Sequence, residues 1–123
     1  PVDLPVAEMV LKDLVSNQDT GNITAALIIG QTADYFGITI EDLSSANRSR
    51  TIVTARHIAM YLCRELTDLS LPKIGREFGG RDHTTVMSAD KKVRTQMSAQ
   101  ADTYKQVTEL TSRIKQAAAT PHS

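Results

Sequence analysis

The sequence predicts an all-α fold, a small helical bundle containing a helix-turn-helix. Three observations lead there. Apolar residues recur every three or four positions, most clearly at Ile52, Ala55, Ala59, Leu62, Leu66 and Leu69. No stretch alternates polar and apolar residues as a half-buried strand does. Two of the helical stretches are separated only by Gly79-Gly80-Arg81-Asp82, a tight turn that runs into a good helix cap.

Taken in order, residues 6–15 carry Val6, Met9, Val10 and Leu14 at helical spacing, with Pro5 suited to the first turn. The polar run 16–22, with Gly21 and two asparagines, reads as a hinge. This start predicts a piece of a longer protein, and Pro1 in place of an initiator Met agrees, although processing would also explain it. Residues 23–36 form the next helix, with Ala25, Ile28, Ile29 and Phe36 on one side and Thr32 interrupting them. Gly30 within it costs about 1 kcal/mol relative to Ala, and Gly37 is a natural stop. Thr39 and Asp42 have capping-box spacing and open a helical turn at 40–43. A polar loop, 44–51, carries Arg48 and Arg50.

The longest helix is expected over 52–69, capped by Thr51, with Ala55 and Ala59 small enough for another helix to approach closely. Cys63 lies beside its stripe and reads as a core residue. Ser70 caps a helix over 71–78, where Leu71, Ile74 and Phe78 share a face. Asp82 caps a helix opening at His83, with Val86, Val93 and Met97 inward and Ala89 or Asp90 between. A last helix runs over 101–118 on Tyr104, Val107, Leu110 and Ile114, before a fraying tail.

Composition narrows the function classes. The 123 residues suit one domain, and a single cysteine excludes an internal disulfide and a multi-cysteine zinc site. His57 and His122 make no metal spacing with His83. No apolar run approaches the roughly 20 residues that span a bilayer, and no signal-peptide pattern opens the chain, so a cytoplasmic setting is expected. Net charge is zero but unevenly spread: residues 1–43 hold one Lys against seven acids, and 44–95 hold ten Lys or Arg against five acids. A basic middle segment can engage a polyanion within a neutral chain, although solvated helix faces alone would also explain the pattern.

In a helix-turn-helix the second helix enters the major groove and its first residues meet base edges. Here these are Asp82, His83, Thr84 and Thr85. A Thr methyl packs on the thymine methyl, Asp accepts from the cytosine amino group, and His donates or accepts. Asp82 serves equally well as a plain helix cap, and first-turn threonines and a surface histidine are ordinary features. Arg81, Lys91, Lys92, Arg94, Lys73, Arg76 and Arg56 are placed to grip phosphates on either side of the groove. Arg48 and Arg50 form a separate basic arm, of the kind that enters a narrow A·T-rich minor groove. Three other readings compete: a protein-interaction module docking an acidic partner, a small hydrolase using His83, and binding to acidic lipid. The hydrolase lacks a nucleophile or carboxylate constellation beside His83, and the acidic N-terminal helix counts against a lipid anchor there.

Residues 71–93, LPKIGREFGGRDHTTVMSADKKV, resemble the signature of the bacterial chromosomal replication initiator family DnaA. NRSRT followed by ARHIAMYLCREL resembles the preceding part of that family's DNA-binding domain. The resemblance covers about residues 22–116 and implies a Trp-repressor-like helical bundle that binds double-stranded, A·T-rich boxes at the replication origin. By motif match Asp82, His83 and Thr84 would contact bases in the major groove, and Arg48 would read the minor groove. Arg50, Arg56, His57, Lys73, Arg81, Thr85 and Lys92 would touch the backbone, with main-chain groups near Leu71 and Pro72. Asn47 stands where some members carry another base. The resemblance further implies that residues 1–21 end an AAA+ ATPase region and form a hinge. It makes 22–118 the DNA-binding domain and 119–123 a tail. ATP would bind only in the longer protein, no catalysis would reside in this chain, and other initiator molecules would assemble through regions outside it. A bacterial, nucleoid-associated location follows.

Overall fold

The computed structural model describes residues 23–119, which form six helices: α1 (Ala25–Phe36), α2 (Ile40–Ser44), α3 (Arg50–Leu66), α4 (Leu71–Glu77), α5 (His83–Ala99) and α6 (Ala101–Ala119). The helix and hinge expected within 1–22, and most of the expected tail, lie outside the described residues. Among those described there is no strand, and no helix is long and apolar enough to cross a membrane.

Helix α3 is the axle of the bundle, packing against α1, α2, α4 and α5, while α6 closes the other side against α1 and α5. Ala55 and Ala59 are fully buried, so the small positions on α3 do bring neighbours close. The surrounding core is aliphatic, with Ile28, Leu43, Ile58, Ile74, Leu110 and Ile114 almost wholly removed from water and Phe78 as its largest member. Burying each such side chain contributes about 1.5–3 kcal/mol. Cys63 sits in this core, and burial pushes its thiol pKa up to about 12, so it is packing rather than a nucleophile.

The caps fix the element boundaries. Thr24, Ser49 and Ser70 each accept a backbone N–H from the first turn of the helix that follows, and Thr39 with Asp42 forms the expected capping box. Gly37 ends α1 in the left-handed conformation, at φ 68°.

Several sequence expectations shift. Ser49, not Thr51, caps α3, so Arg50 is its first residue rather than part of the loop. The same helix stops at Leu66, because Thr67 turns to an extended conformation; Leu69 packs against the core from the connection. Phe78 caps α4 instead of belonging to it. On α6 the inward line starts at Thr103, whereas Tyr104 is 57% exposed. Both residues are a helical step from Val107, and Thr103 can be buried because its hydroxyl donates to Gln100 Oε1 at 3.0 Å. Ala89 and Asp90 are both buried on α5.

Thr32 is fully buried within α1, and its hydroxyl has no hydrogen-bond partner among the described residues. Such an orphaned group costs about 1–3 kcal/mol. Thr32→Val keeps the shape and removes the hydroxyl. It should stabilise the chain by about 1 kcal/mol, read as a higher urea midpoint at an unchanged slope.

Candidate nucleic-acid interface

The helix-turn-helix is α4, the turn 78–82, and α5. Gly79 and Gly80 supply the turn at φ 86° and 77°, which only glycine adopts freely. The turn closes when the Arg81 N–H donates to the Gly75 carbonyl at 2.8 Å. Asp82 then caps α5: its Oδ1 accepts the His83 N–H at 3.0 Å and its Oδ2 accepts the Thr84 hydroxyl at 2.7 Å. The Thr84 hydrogen bond, seconded by the His83 amide, holds the carboxyl below its ordinary pKa. His83 Nδ1 lies 3.3 Å from Asp82 Oδ1. Asp82, His83, Thr84 and Thr85 are all exposed at the start of α5, so the cap and the expected base-facing residues share one helix end.

Helix α3 crosses behind α5 and carries His57 toward it. One cleft of about 590 Å³ is lined by Arg48, Arg50, Val53, Thr54, His57, Lys92, Gln96 and Gln100. A second, of about 320 Å³, is lined by His57, Thr84, Thr85, Ser88, Ala89 and Lys92. They adjoin at His57 and Lys92, so a trough runs from the arginine arm to the first turn of α5. Gln96 and Gln100 were not singled out from sequence. Helical spacing from Lys92, four and eight residues on, was the signal that would have found them. Met87, 47% exposed and one turn after His83 and Thr84, was also passed over.

The remaining expected site residues divide. Half-buried Leu71 and exposed Pro72 and Lys73 open α4 and line neither cleft. Arg56 and Arg81, expected as surface phosphate grips, spend their guanidinium groups on backbone carbonyls, Arg56 buried and Arg81 half-buried. Arg56 is 6% exposed; its Nε donates to the Leu43 carbonyl at 3.1 Å, and its Nη2 lies within 3.0 Å of the Asp42, Ser45 and Asn47 carbonyls. Arg81 donates from Nη2 to the Ser45 carbonyl at 2.6 Å, and from Nη1 to the Phe78 and Ser44 carbonyls. The cause is local. The last turn of α2 leaves carbonyls without intrahelical partners, and a guanidinium satisfies several at once. Arg94 is likewise occupied, by Asp90 at 2.9 Å and by Glu65.

His57 is held below its ordinary pKa, first by burial and then by the charges of Lys92, Arg56 and Arg81. The folded chain therefore resists a proton that the unfolded chain accepts near pH 6.5. This histidine subtracts from stability as pH falls through that value. His57→Gln should flatten the decline in urea midpoint between about pH 7.5 and about pH 5.5. An unchanged slope would refute the assignment.

Among the described residues no group of three or more His, Cys, Asp and Glu side chains is placed to hold a metal. The family model described as "Bacterial dnaA protein helix-turn-helix" matches residues 25–93. Similar curated proteins include three named chromosomal replication initiator protein DnaA. The chain is 60% identical to that of Cutibacterium acnes over 116 residues, which are 94% of this chain and 23% of the relative. The relatives from Leifsonia xyli subsp. xyli and Clavibacter sepedonicus are 59% and 57% identical, each over 94% of this chain and 24% of the relative. The chain thus spans about a quarter of the length of the curated relatives it matches. On the family match, which takes in the helix-turn-helix as far as residue 93, the chain belongs to the bacterial DnaA helix-turn-helix family.

Proposed function

We propose that this chain binds double-stranded DNA in a sequence-specific manner, as the origin-binding part of a replication initiator. The first turn of α5 enters the major groove, where His83, Thr84 and Asp82 meet base edges. Arg48 reads the neighbouring minor groove of A·T-rich boxes. Arg50, His57, Thr85 and Lys92 line the trough along the phosphates, and Lys73 with the main chain at Leu71 and Pro72 holds the strand on the other side of α5. Base contacts select sequence, while phosphate contacts supply register and salt-sensitive affinity.

The observation that carries this reading is the continuity of the trough. The arginine arm and the opening of α5 lie on one surface, joined through His57 and Lys92. A docking surface for an acidic protein would not set the exposed Asp82 carboxylate and base-edge hydroxyls at the helix opening. In the longer protein ATP would bind outside this chain. Assembly with other initiator molecules would use those same outer regions, in the bacterial cytoplasm at the nucleoid.

The test is selection of duplexes from a random pool, followed by titration of the recovered sequence against a scrambled one. A strong preference for a short A·T-rich element is expected, and equal binding to both duplexes would overturn the proposal. Lys92→Ala should weaken both duplexes about equally and lower the salt slope by about 1.

A further inference from the structure

The three candidate DNA-reading features lie on different elements: an arm between α2 and α3, a trough along α3, and the start of α5. Contacts in two grooves succeed together only if the arm stays at a fixed distance from α5. Exposed polar loops do not hold such a distance unaided. This one does not stand unaided.

Its first half is pinned by the chain itself. The Ser45 hydroxyl donates to the Asp42 carbonyl at 2.9 Å, and Ser45 Oγ accepts the Asn47 N–H at 3.1 Å. Asn47 Oδ1 accepts the Ser49 N–H at 2.9 Å, and Ser49 caps α3. Arg48 is therefore bracketed by two residues whose backbone groups are occupied. Its second constraint comes from the bundle. Arg56 reaches up from α3, Arg81 reaches across from the α4–α5 turn, and both donate to the same Ser45 carbonyl, at 2.9 and 2.6 Å. Gly79 adds close approach: a Cβ there would fall closer than 3.0 Å to the Ser44 carbonyl oxygen. The turn that launches α5 thus rests directly on the chain that launches the arm.

We infer that Arg56 and Arg81 are positioning residues that lock the Arg48 arm to the α4–α5 turn, so that minor-groove and major-groove reading occur in one register. The inference rests on the DNA-binding reading above. Two like charges converge here because the carbonyl ends of α2 and its following turn supply the compensating negative dipole. A phosphate-gripping role is a different proposal with different consequences. It would leave affinity tolerant of Lys at either position, since Lys also grips phosphate as a point charge. The lock needs the guanidinium fork, which Lys lacks.

The test uses Arg81→Lys and, independently, Arg56→Lys, each alone and combined with Arg48→Ala. Binding is measured to the duplex that the wild-type chain selects and to its single-base-pair variants, with helical circular dichroism confirming the fold. In the wild type, Arg48→Ala should cost about tenfold or more at its own base pairs; in the Lys backgrounds it should cost less than about threefold. The Lys variants should lose discrimination at those base pairs and keep it at the pairs sensitive to His83→Ala. Additive penalties, or a uniform loss at both sets of base pairs, would overturn the inference. Should Arg48→Ala already cost nothing in the wild type, the minor-groove reading itself falls, and the lock with it. If neither Lys variant folds, amide hydrogen exchange in Asn47→Ala reports the same coupling: faster exchange that spreads from 45–49 to the 78–82 turn supports the lock, and loosening confined to 45–49 contradicts it.

Discussion

Gly75→Ala should destabilise the chain by about 2 kcal/mol or more, although helix propensity alone predicts a gain of about 1 kcal/mol. The site lies inside α4, where alanine is ordinarily the better residue. Here an added Cβ would fall closer than 3.0 Å to the Arg81 carbonyl oxygen, a backbone atom that moves only if the turn moves. The same glycine carbonyl accepts the Arg81 N–H at 2.8 Å and the Phe78 N–H at 3.1 Å, so the turn has no slack on that side. Displacing it moves Phe78 out of the core and α5 off its cap. Gly30→Ala is the control. It sits in α1 with nothing within 4 Å of the added carbon and should stabilise by about 1 kcal/mol. Urea midpoints for the two variants should therefore move in opposite directions. A stabilised Gly75→Ala would mean that the turn is not packed as described.

Arg48→Ala should weaken binding to the selected duplex by about 1–3 kcal/mol, and the loss should concentrate at a few A·T pairs to one side of the element. The side chain is exposed and borders the cleft that also holds Arg50, His57 and Lys92. A narrow A·T minor groove concentrates negative potential and presents the acceptors adenine N3 and thymine O2, which an inserted arginine meets as donor. Folding should be unaffected, because no core residue depends on this side chain. Competition titrations against duplexes altered one base pair at a time check both the size and the placement of the loss. A loss spread evenly over all sequences would make Arg48 a phosphate contact.

Much of the fold is legible without coordinates. The stripe from Ile52 to Leu66 repeats at a helical step, and Ser70, Asp82 and the Thr39–Asp42 pair mark helix starts by their own hydrogen-bonding chemistry. Ambiguity arises where two adjacent residues both fit the repeat. Tyr104 is the larger and more apolar choice, yet Thr103 takes the buried position because Gln100 satisfies its hydroxyl. The exposed cluster at 82–85 is legible for the same reason as the caps: it opens a helix after a glycine turn. Arg56 and Arg81 are not. A long basic side chain in sequence looks the same whether it faces solvent or folds back on carbonyls, and only the unsatisfied end of α2 decides between them.

The proposed reading of two grooves by one surface, α5 in the major and Arg48 in the minor, has a direct test. Single purines in the selected duplex are replaced with analogues lacking the major-groove nitrogen N7 or the minor-groove nitrogen N3. Two adjoining clusters of sensitive positions are expected. Loss of N3 should matter on one side and cease to matter in Arg48→Ala; loss of N7 should matter on the other and change in His83→Ala or Thr84→Ala. Sensitivity confined to one groove, or sensitivity that these variants leave untouched, would contradict that reading.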